Sequence, residues 1–413
     1  MKPALLIALS IGLSACSLDR GVGLACAIDA ASSLDPAGAL VSQSDFDPTG
    51  TQMLAPSGET LAPSMADTFR QTVRDQTPPG IAPAEIAKRP VVVDVLSLSA
   101  GGQYGSFGAG FLRGWAENPI SPRPDFDLVT GVSAGGMLAP VAFSGRANDA
   151  ALDTFRGLET EDVIRRRPFI LWASSSAVFD ASPLESTLRT LLSDALIEDV
   201  AERHRDGAKL LVMAVNLDNT RATVFDLGEM AAQSWPIERR RDCMTEVMLA
   251  SAAIPTIFPP RNIDGQLYAD GGLRDQIFLR EVETARVQVA RETGRSVQIK
   301  ATIVVNGSLR PPVGDARDTI LGYAERSLFT LADENLRDSI IETLTFAASN
   351  ENWEVQGVIA SEEVQELCPE SDASGTFSAC VTTALFDEGR DLGRSSPIEF
   401  ISSQDLRRLA EEF

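Results

Sequence analysis

Histidine is nearly missing from this 413-residue chain, in which His204 stands alone. A multi-histidine metal centre is thereby excluded, and any catalytic arrangement that needs imidazole has one candidate. Cysteine is sparse too, five residues with no zinc-like spacing, so neither a structural nor a catalytic metal site is expected. Basic residues are outnumbered, 36 Lys and Arg against 58 Asp and Glu, for a net charge of -22. A phosphate backbone demands a basic stripe, which this sequence lacks, and nucleic acid is excluded as a partner. The run Arg239-Arg240-Arg241 is too local to change that and reads as a solvated helix start. What remains is a chain that is 44% hydrophobic, enough for one large core.

The N-terminus has Lys2, an apolar run from Ala4 to Leu13 and small residues before Cys16, the layout of an export signal and too short to span a bilayer. Leu13-Ser14-Ala15-Cys16 resembles the lipobox of bacterial lipoproteins. That resemblance implies removal of residues 1–15 and acylation of Cys16. Each buried methylene of the acyl chains would contribute about 0.8 kcal/mol to anchoring. Ser17 after the cysteine implies an outer-membrane location in the cell envelope, facing the periplasm or the exterior. The other cysteines would then lie in an oxidising compartment. Cys368 and Cys380 flank a loop rich in Ser, Asp and Gly and are the natural disulfide pair, worth about 3 kcal/mol. Cys243, on a helix-like stretch, reads as a buried small apolar residue.

Residues 16–89 are rich in Ala, Pro, Ser and Asp and read as a tether with one short helix near 65–75. The folded region begins at Val91, where Val91 to Leu98 is an almost unbroken apolar run, as in a buried parallel strand. A Gly-rich turn follows, then a helix from about Phe107 to Glu117, a strand from Phe126 to Thr130, and a helix opening at Ala134. Further strands are predicted at 209–215, 222–226, 266–269 and 297–305, with helices including 245–253 and 279–293. The alternation predicts a layered α/β/α sandwich with a mostly parallel central sheet over about 90–310. Residues 311–413 read as a helical extension that carries the cysteine pair.

Three windows carry candidate chemistry. Gly131-Val132-Ser133-Ala134-Gly135 is a G-x-S-x-G between a predicted strand and a predicted helix. A serine on that sharp turn presents its hydroxyl clear of the backbone, above a helix N-terminus that favours negative charge. The second window, Ser99-Ala100-Gly101-Gly102-Gln103-Tyr104-Gly105, exposes amides after a strand. Such a turn serves a phosphate or an oxyanion equally well, but no Gly-Lys-Ser/Thr follows, and Glu117 sits on a helix rather than at a second strand end. The third, Tyr268-Ala269-Asp270-Gly271-Gly272, holds a carboxylate beside two glycines, a placement that suits a general base or an ordinary turn.

Together, in this order, the windows resemble the patatin-like phospholipases over about Val91 to Asn306. The likeness extends to Asp180-Ala181-Ser182-Pro183-Leu184 and to Ala250-Ser251-Ala252-Ala253-Ile254-Pro255 with Phe258-Pro259-Pro260. It implies a cofactor-free lipid acyl hydrolase with Ser133 as nucleophile, Asp270 as base, Gly101 and Gly102 as oxyanion donors, and a lipid or ester substrate. Gly105, Gly131, Gly135, Gly271 and Gly272 would be the motif glycines. Ala100 stands where the family loop has its first glycine, and Tyr104 where it has a basic residue. The lost cation shifts the expected substrates toward neutral lipids or small esters. Two other readings stand beside this one: a non-catalytic lipid-binding or scaffold lipoprotein, motivated by the altered loop, and a nucleotide-binding protein, motivated only by the Gly-rich turn. A conventional triad through His204 would need histidine after the acid in the chain, yet His204 precedes Asp270 in a polar stretch that reads as a solvated helix end.

Overall fold

The computed structural model describes residues 23–26, 61–77, 80, 89–167, 177–309, 318–361, 364, 368 and 377–412. Cys16 and the expected signal segment lie outside them. Nine strands form one sheet among the described residues: β1 (Val91–Leu98), β2 (Leu128–Val132), β3 (Lys209–Asn216), β4 (Ala222–Asp226), β5 (Arg261–Ile263), β6 (Gln266–Asp270), β7 (Val297–Val305), β8 (Trp353–Ile359) and β9 (Ile401–Ser402). The main path runs β9-β8-β7-β1-β2-β3-β6-β5, with β4 on the other edge of β3. The central strands β8, β7, β1, β2 and β3 are parallel neighbours, and the antiparallel pairs lie toward the two ends.

The α-helices longer than eight residues are α1 (Ala62–Asp75), α2 (Gly105–Glu117), α3 (Ala134–Phe143), α4 (Ser182–Leu191), α5 (Asp194–Arg205), α6 (Ile237–Ser251), α7 (Arg280–Thr293), α8 (Ile320–Ala348), α9 (Ala379–Arg394) and α10 (Ser403–Glu411). Alternation along each strand sends side chains to two cores. Leu96 and Leu98 of β1 join the core under α2 to α6 and α9, whereas Val91, Val93 and Val95 join the one under α1, α7, α8 and α10. Burial on both faces explains the unbroken apolar run of β1. The fold is the expected α/β/α sandwich.

Two boundaries differ from the sequence expectation. Within the presumed tether, α1 packs on the sheet through buried Met65, Phe69 and Val73, and Arg70 pairs with Glu292 of α7 at 2.7 Å. Its apolar stripe at a four-residue spacing is only one face of a segment otherwise rich in small and polar residues, so composition hid it. Farther upstream, Leu24 bridges Ile263 of β5, and Cys26 is joined to Cys243 of α6 by a disulfide. Cys243 is therefore buried, as expected of a small apolar residue, but also bonded. The presumed C-terminal extension is likewise part of the sandwich: β8 pairs in parallel with β7 over Trp353 to Ile359. Buried Leu385 and Phe386 of α9 join the core shared with α2, and Arg390 pairs with Glu117 at 2.8 Å. Cys368 and Cys380 form a second disulfide.

Candidate active site

Ser133 sits at the junction of β2 and α3 with φ 51° and ψ -119°, a conformation that costs a non-glycine residue about 1–3 kcal/mol. Neighbouring contacts hold it there. Its N–H donates to Ser251 Oγ at 2.8 Å, and Ser251 in turn donates to the Met213 carbonyl at 2.6 Å. Gly135 completes the turn: a Cβ at that position would lie 2.2 Å from the Leu98 carbonyl oxygen, so only glycine lets the helix approach β1 this closely. Every residue of α3 is buried, and its N-terminus lies directly under the serine.

Sheet register brings Asp270 to this point. β2 pairs with β3 as far as Val132 opposite Met213, and β4 occupies the other edge of β3. Beyond Met213 the edge vacated by β2 is taken by β6, which places Asp270 opposite Ala214. The carboxylate is thus one register step beyond the end of β2, where Ser133 stands. Ser133 Oγ donates to Asp270 Oδ2 at 2.8 Å, and the Gly272 N–H donates to Asp270 Oδ1 at 2.7 Å. Asp270 N–H donates to the Ala253 carbonyl at 3.0 Å, which ties the strand end to the segment after α6. Burial pushes the Asp270 carboxyl up to about 6, against the opposing pull of the Gly272 amide and the Ser133 hydroxyl.

The Gly-rich turn lies on the same cavity. Asn306, at the end of β7, braces it from below: its N–H donates to Ser99 Oγ and its Nδ2 to the Ser99 carbonyl, both at 2.8 Å. A Cβ on Gly101 would fall 1.2 Å from the Asn306 carbonyl oxygen, so the loop can take this path only with glycine there. Gly101, Gly102, Ser133 and Asp270 line one cavity of about 430 Å³, within the range of small-molecule sites. Its walls are mainly apolar, among them Met137, Phe155, Leu188, Ile257 and, from α8, Leu328 and Phe329. Tyr104, Asp162, Glu325 and Asp333 also face it, and no Lys, Arg or His lines it among the described residues. Burial raises Asp333 to about 6 as well.

Of the motif glycines, Gly105 and Gly272 line this cavity, Gly131 and Gly135 shape the serine turn, and Gly271 follows Asp270 directly. His204 is elsewhere. It lies on α5 with Nδ1 3.7 Å from Asp226 Oδ1 and is partly buried rather than solvated; desolvation pushes its pKa down. Ser251 lies in the Ala250 to Pro255 window, but its contact with Ser133, like the bracing by Asn306, is not legible in the sequence. Each is one polar residue at the end of an ordinary element, and only the tertiary contact reveals its role.

A model of the patatin-like phospholipase family matches residues 96–282, a span that contains the Gly-rich turn, Ser133 and Asp270. Residues 96–282 are a patatin-like phospholipase domain. The family is one of lipid hydrolases, and the α/β sandwich of this patatin-like domain agrees with it. A cGAMP-activated phospholipase of Pseudomonas aeruginosa is 28% identical over 313 residues, 71% of this chain and 86% of that protein. One from Escherichia coli is 26% identical over 197 residues, 44% of this chain and 52% of its own. The solved structure of VipD from Legionella pneumophila covers 75% of this chain and 68% of its own at 14% identity, with a TM-score of 0.30, too low to carry an argument. The patatin-like match ends at residue 282, so β7, Asn306 just after it, and α8, which walls the cavity, lie outside it.

Proposed function

We propose that the protein hydrolyses carboxylic esters of lipids through a Ser133–Asp270 dyad. The observation that carries the reading is the 2.8 Å bond from Ser133 Oγ to a buried carboxylate in an apolar cavity. Asp270 accepts the hydroxyl proton as Oγ attacks the ester carbonyl, and the amides of Gly101 and Gly102 receive the oxyanion. The tetrahedral intermediate expels the alcohol, which takes the proton from Asp270, and leaves an acyl-enzyme. Water then gives a proton to Asp270 and attacks the acyl carbon, and the fatty acid departs as Ser133 recovers its proton. A carboxylate raised toward 6 by burial is a stronger base than a solvated one and is still ionised at neutral pH.

The cation-free, acid-bearing lining favours neutral or zwitterionic lipids over anionic ones, since a phosphate monoester or a phosphatidylglycerol headgroup would face Asp162, Glu325 and Asp333. The protein acts, in this reading, as an acylated lipoprotein of the outer membrane. The Lys2 to Cys16 layout and two disulfides, which need an oxidising compartment, support it. An anchor at Cys16 would be short, because Cys26 is bonded to the domain and ten residues reach at most about 35 Å.

The test is hydrolysis of a short-chain p-nitrophenyl ester and of vesicles with zwitterionic or anionic headgroups, with Ser133→Ala, Asp270→Asn and His204→Ala alongside. Activity lost in the first two and kept in the third is expected, with zwitterionic vesicles turned over faster. Loss with His204→Ala in a variant that melts like the parent would overturn the dyad. Inactivity throughout, together with no labelling of Ser133 by a fluorophosphonate, would establish a lipid-binding protein.

A further inference from the structure

The dyad's aspartate is held by a turn, and the turn is held by a helix outside the matched family segment. Gly271–Leu273 forms a single 3-10 turn after β6, and its Gly272 N–H supplies the 2.7 Å bond to Asp270 Oδ1. Three positions of α8 grip residues 272–276. Asn335 Nδ2 donates to the Gly272 carbonyl at 3.0 Å, and Ser339 Oγ accepts the Gln276 N–H at 3.1 Å and donates to the Asp275 carboxylate. The Ala332 carbonyl accepts from Gln276 Nε2 at 2.5 Å. Residues 332, 335 and 339 share one helical face by their three- and four-residue spacing, so a straight helix presents all of these contacts to the turn at once.

Asn335 is the member that touches Gly272 itself. A glycine pair has no side chains with which to fix its own peptide planes, and its backbone is the most mobile available. An external donor on the Gly272 carbonyl restricts that residue, and with it the orientation of the N–H that reaches Asp270. We infer that Asn335 is a positioning residue for the reaction, holding the Asp270 carboxylate in line with Ser133 through the Gly272 backbone, whose C=O and N–H belong to successive peptide groups. The inference rests on the dyad reading above. It also gives α8 two tasks, since the face that carries Ala332 and Leu336 lines the cavity as well.

The experiment compares Asn335→Leu, which keeps the branch at Cγ without a donor, and Asn335→Ala with the parent chain and with Asp270→Asn. The measurements are kcat and KM for a short-chain p-nitrophenyl ester from pH 4.5 to 8.5, and thermal melting of each variant. Loss of a supporting contact of this kind costs about 10-fold or more in rate. The expected result is such a fall in kcat with KM within twofold, and an acid limb of kcat/KM moved to higher pH. The direction follows because the Gly272 bond opposes the rise of the Asp270 pKa, and loosening it lets the pKa climb. The other charges near this contact are Asp275 after the turn and Glu325, Asp333 and Arg337 on α8, and because Asp333 lines the same cavity and is also raised to about 6, the profiles are repeated in an Asp333→Asn background, where a shift that persists reports Asp270. A kcat fall with an unmoved acid limb and a lowered melting temperature in both variants would reduce Asn335 to a structural contact and overturn the inference, as would unchanged kcat. If Asp270→Asn retains full activity, the dyad reading itself fails; if it is inactive while the Asn335 variants match the parent, only the positioning role fails.

Discussion

Replacing Asp270 by Asn should inactivate the protein and stabilise it. Asn has the same shape, its Oδ1 can accept the Gly272 N–H, and its Nδ2 can donate to Ser133 Oγ, so the local geometry survives while the base is lost. Rate should fall by at least about a hundredfold, the usual worth of a positioned general base. Stability moves the other way, because the parent carries an ionised carboxylate in a buried site. Raising a carboxyl from 3.8 to about 6 on folding costs about 3 kcal/mol at pH 7. The sign is fixed by proton binding: between the unfolded and folded pKa values the folded chain holds the extra proton, so the parent loses stability as pH rises through that window. The advantage of Asp270→Asn should therefore be full above about pH 6 and vanish below about pH 4. Equilibrium urea unfolding at pH 7.5 and at pH 4, with disulfides intact, measures both. Equal midpoints for parent and variant at pH 7.5, or a gain that does not shrink at pH 4, would refute the claim that burial sets this carboxylate's pKa.

Two other substitutions probe the frame around the dyad. Ser251→Ala leaves the Ser133 N–H and the Met213 carbonyl without their buried partner, and should cost about 2–4 kcal/mol in urea unfolding together with a fall in ester hydrolysis; a cost below about 0.5 kcal/mol would mean that water or relaxation replaces the hydroxyl. Removing the Cys26–Cys243 link with paired alanines releases a closure between residues 217 apart in sequence, worth about 5 kcal/mol on the chain-entropy model. A melting curve that matches the parent's, or free thiols found by alkylation of the oxidised protein, would show that the link does not stabilise the domain.

Much of the site is legible before folding because its parts are local. The strand β1 announces itself as an apolar run, since a strand covered on both faces has no polar side to show. The turns at Ser133, Gly101 and Asp270 are legible because strained or crowded backbone admits few residue types, and glycine and serine at fixed offsets record that constraint. The bounds of β4 and β7 agree with the predicted strands, and those of β2 fall two residues later, since pairing with β1 and β3 rather than composition ends a strand. The tether and extension boundaries were misread for a related reason: α1 and α9 gain their stability from the faces they bury, and a short stripe on a polar helix carries little signal until its partner is in place.

The sequence by itself thus determined the α/β alternation, the three turns and the single histidine open to any mechanism, all properties of a few adjacent residues or of composition. Only the tertiary structure decided that β6 takes the edge of β3 where β2 ends, which sets Asp270 beside Ser133. It alone paired Cys26 with Cys243, put Ser251 behind Ser133 and Asn306 behind the Gly-rich turn, and laid Asn335 on the glycine turn. These contacts join residues far apart in the chain, and their energies depend on packing and register, which no local pattern encodes.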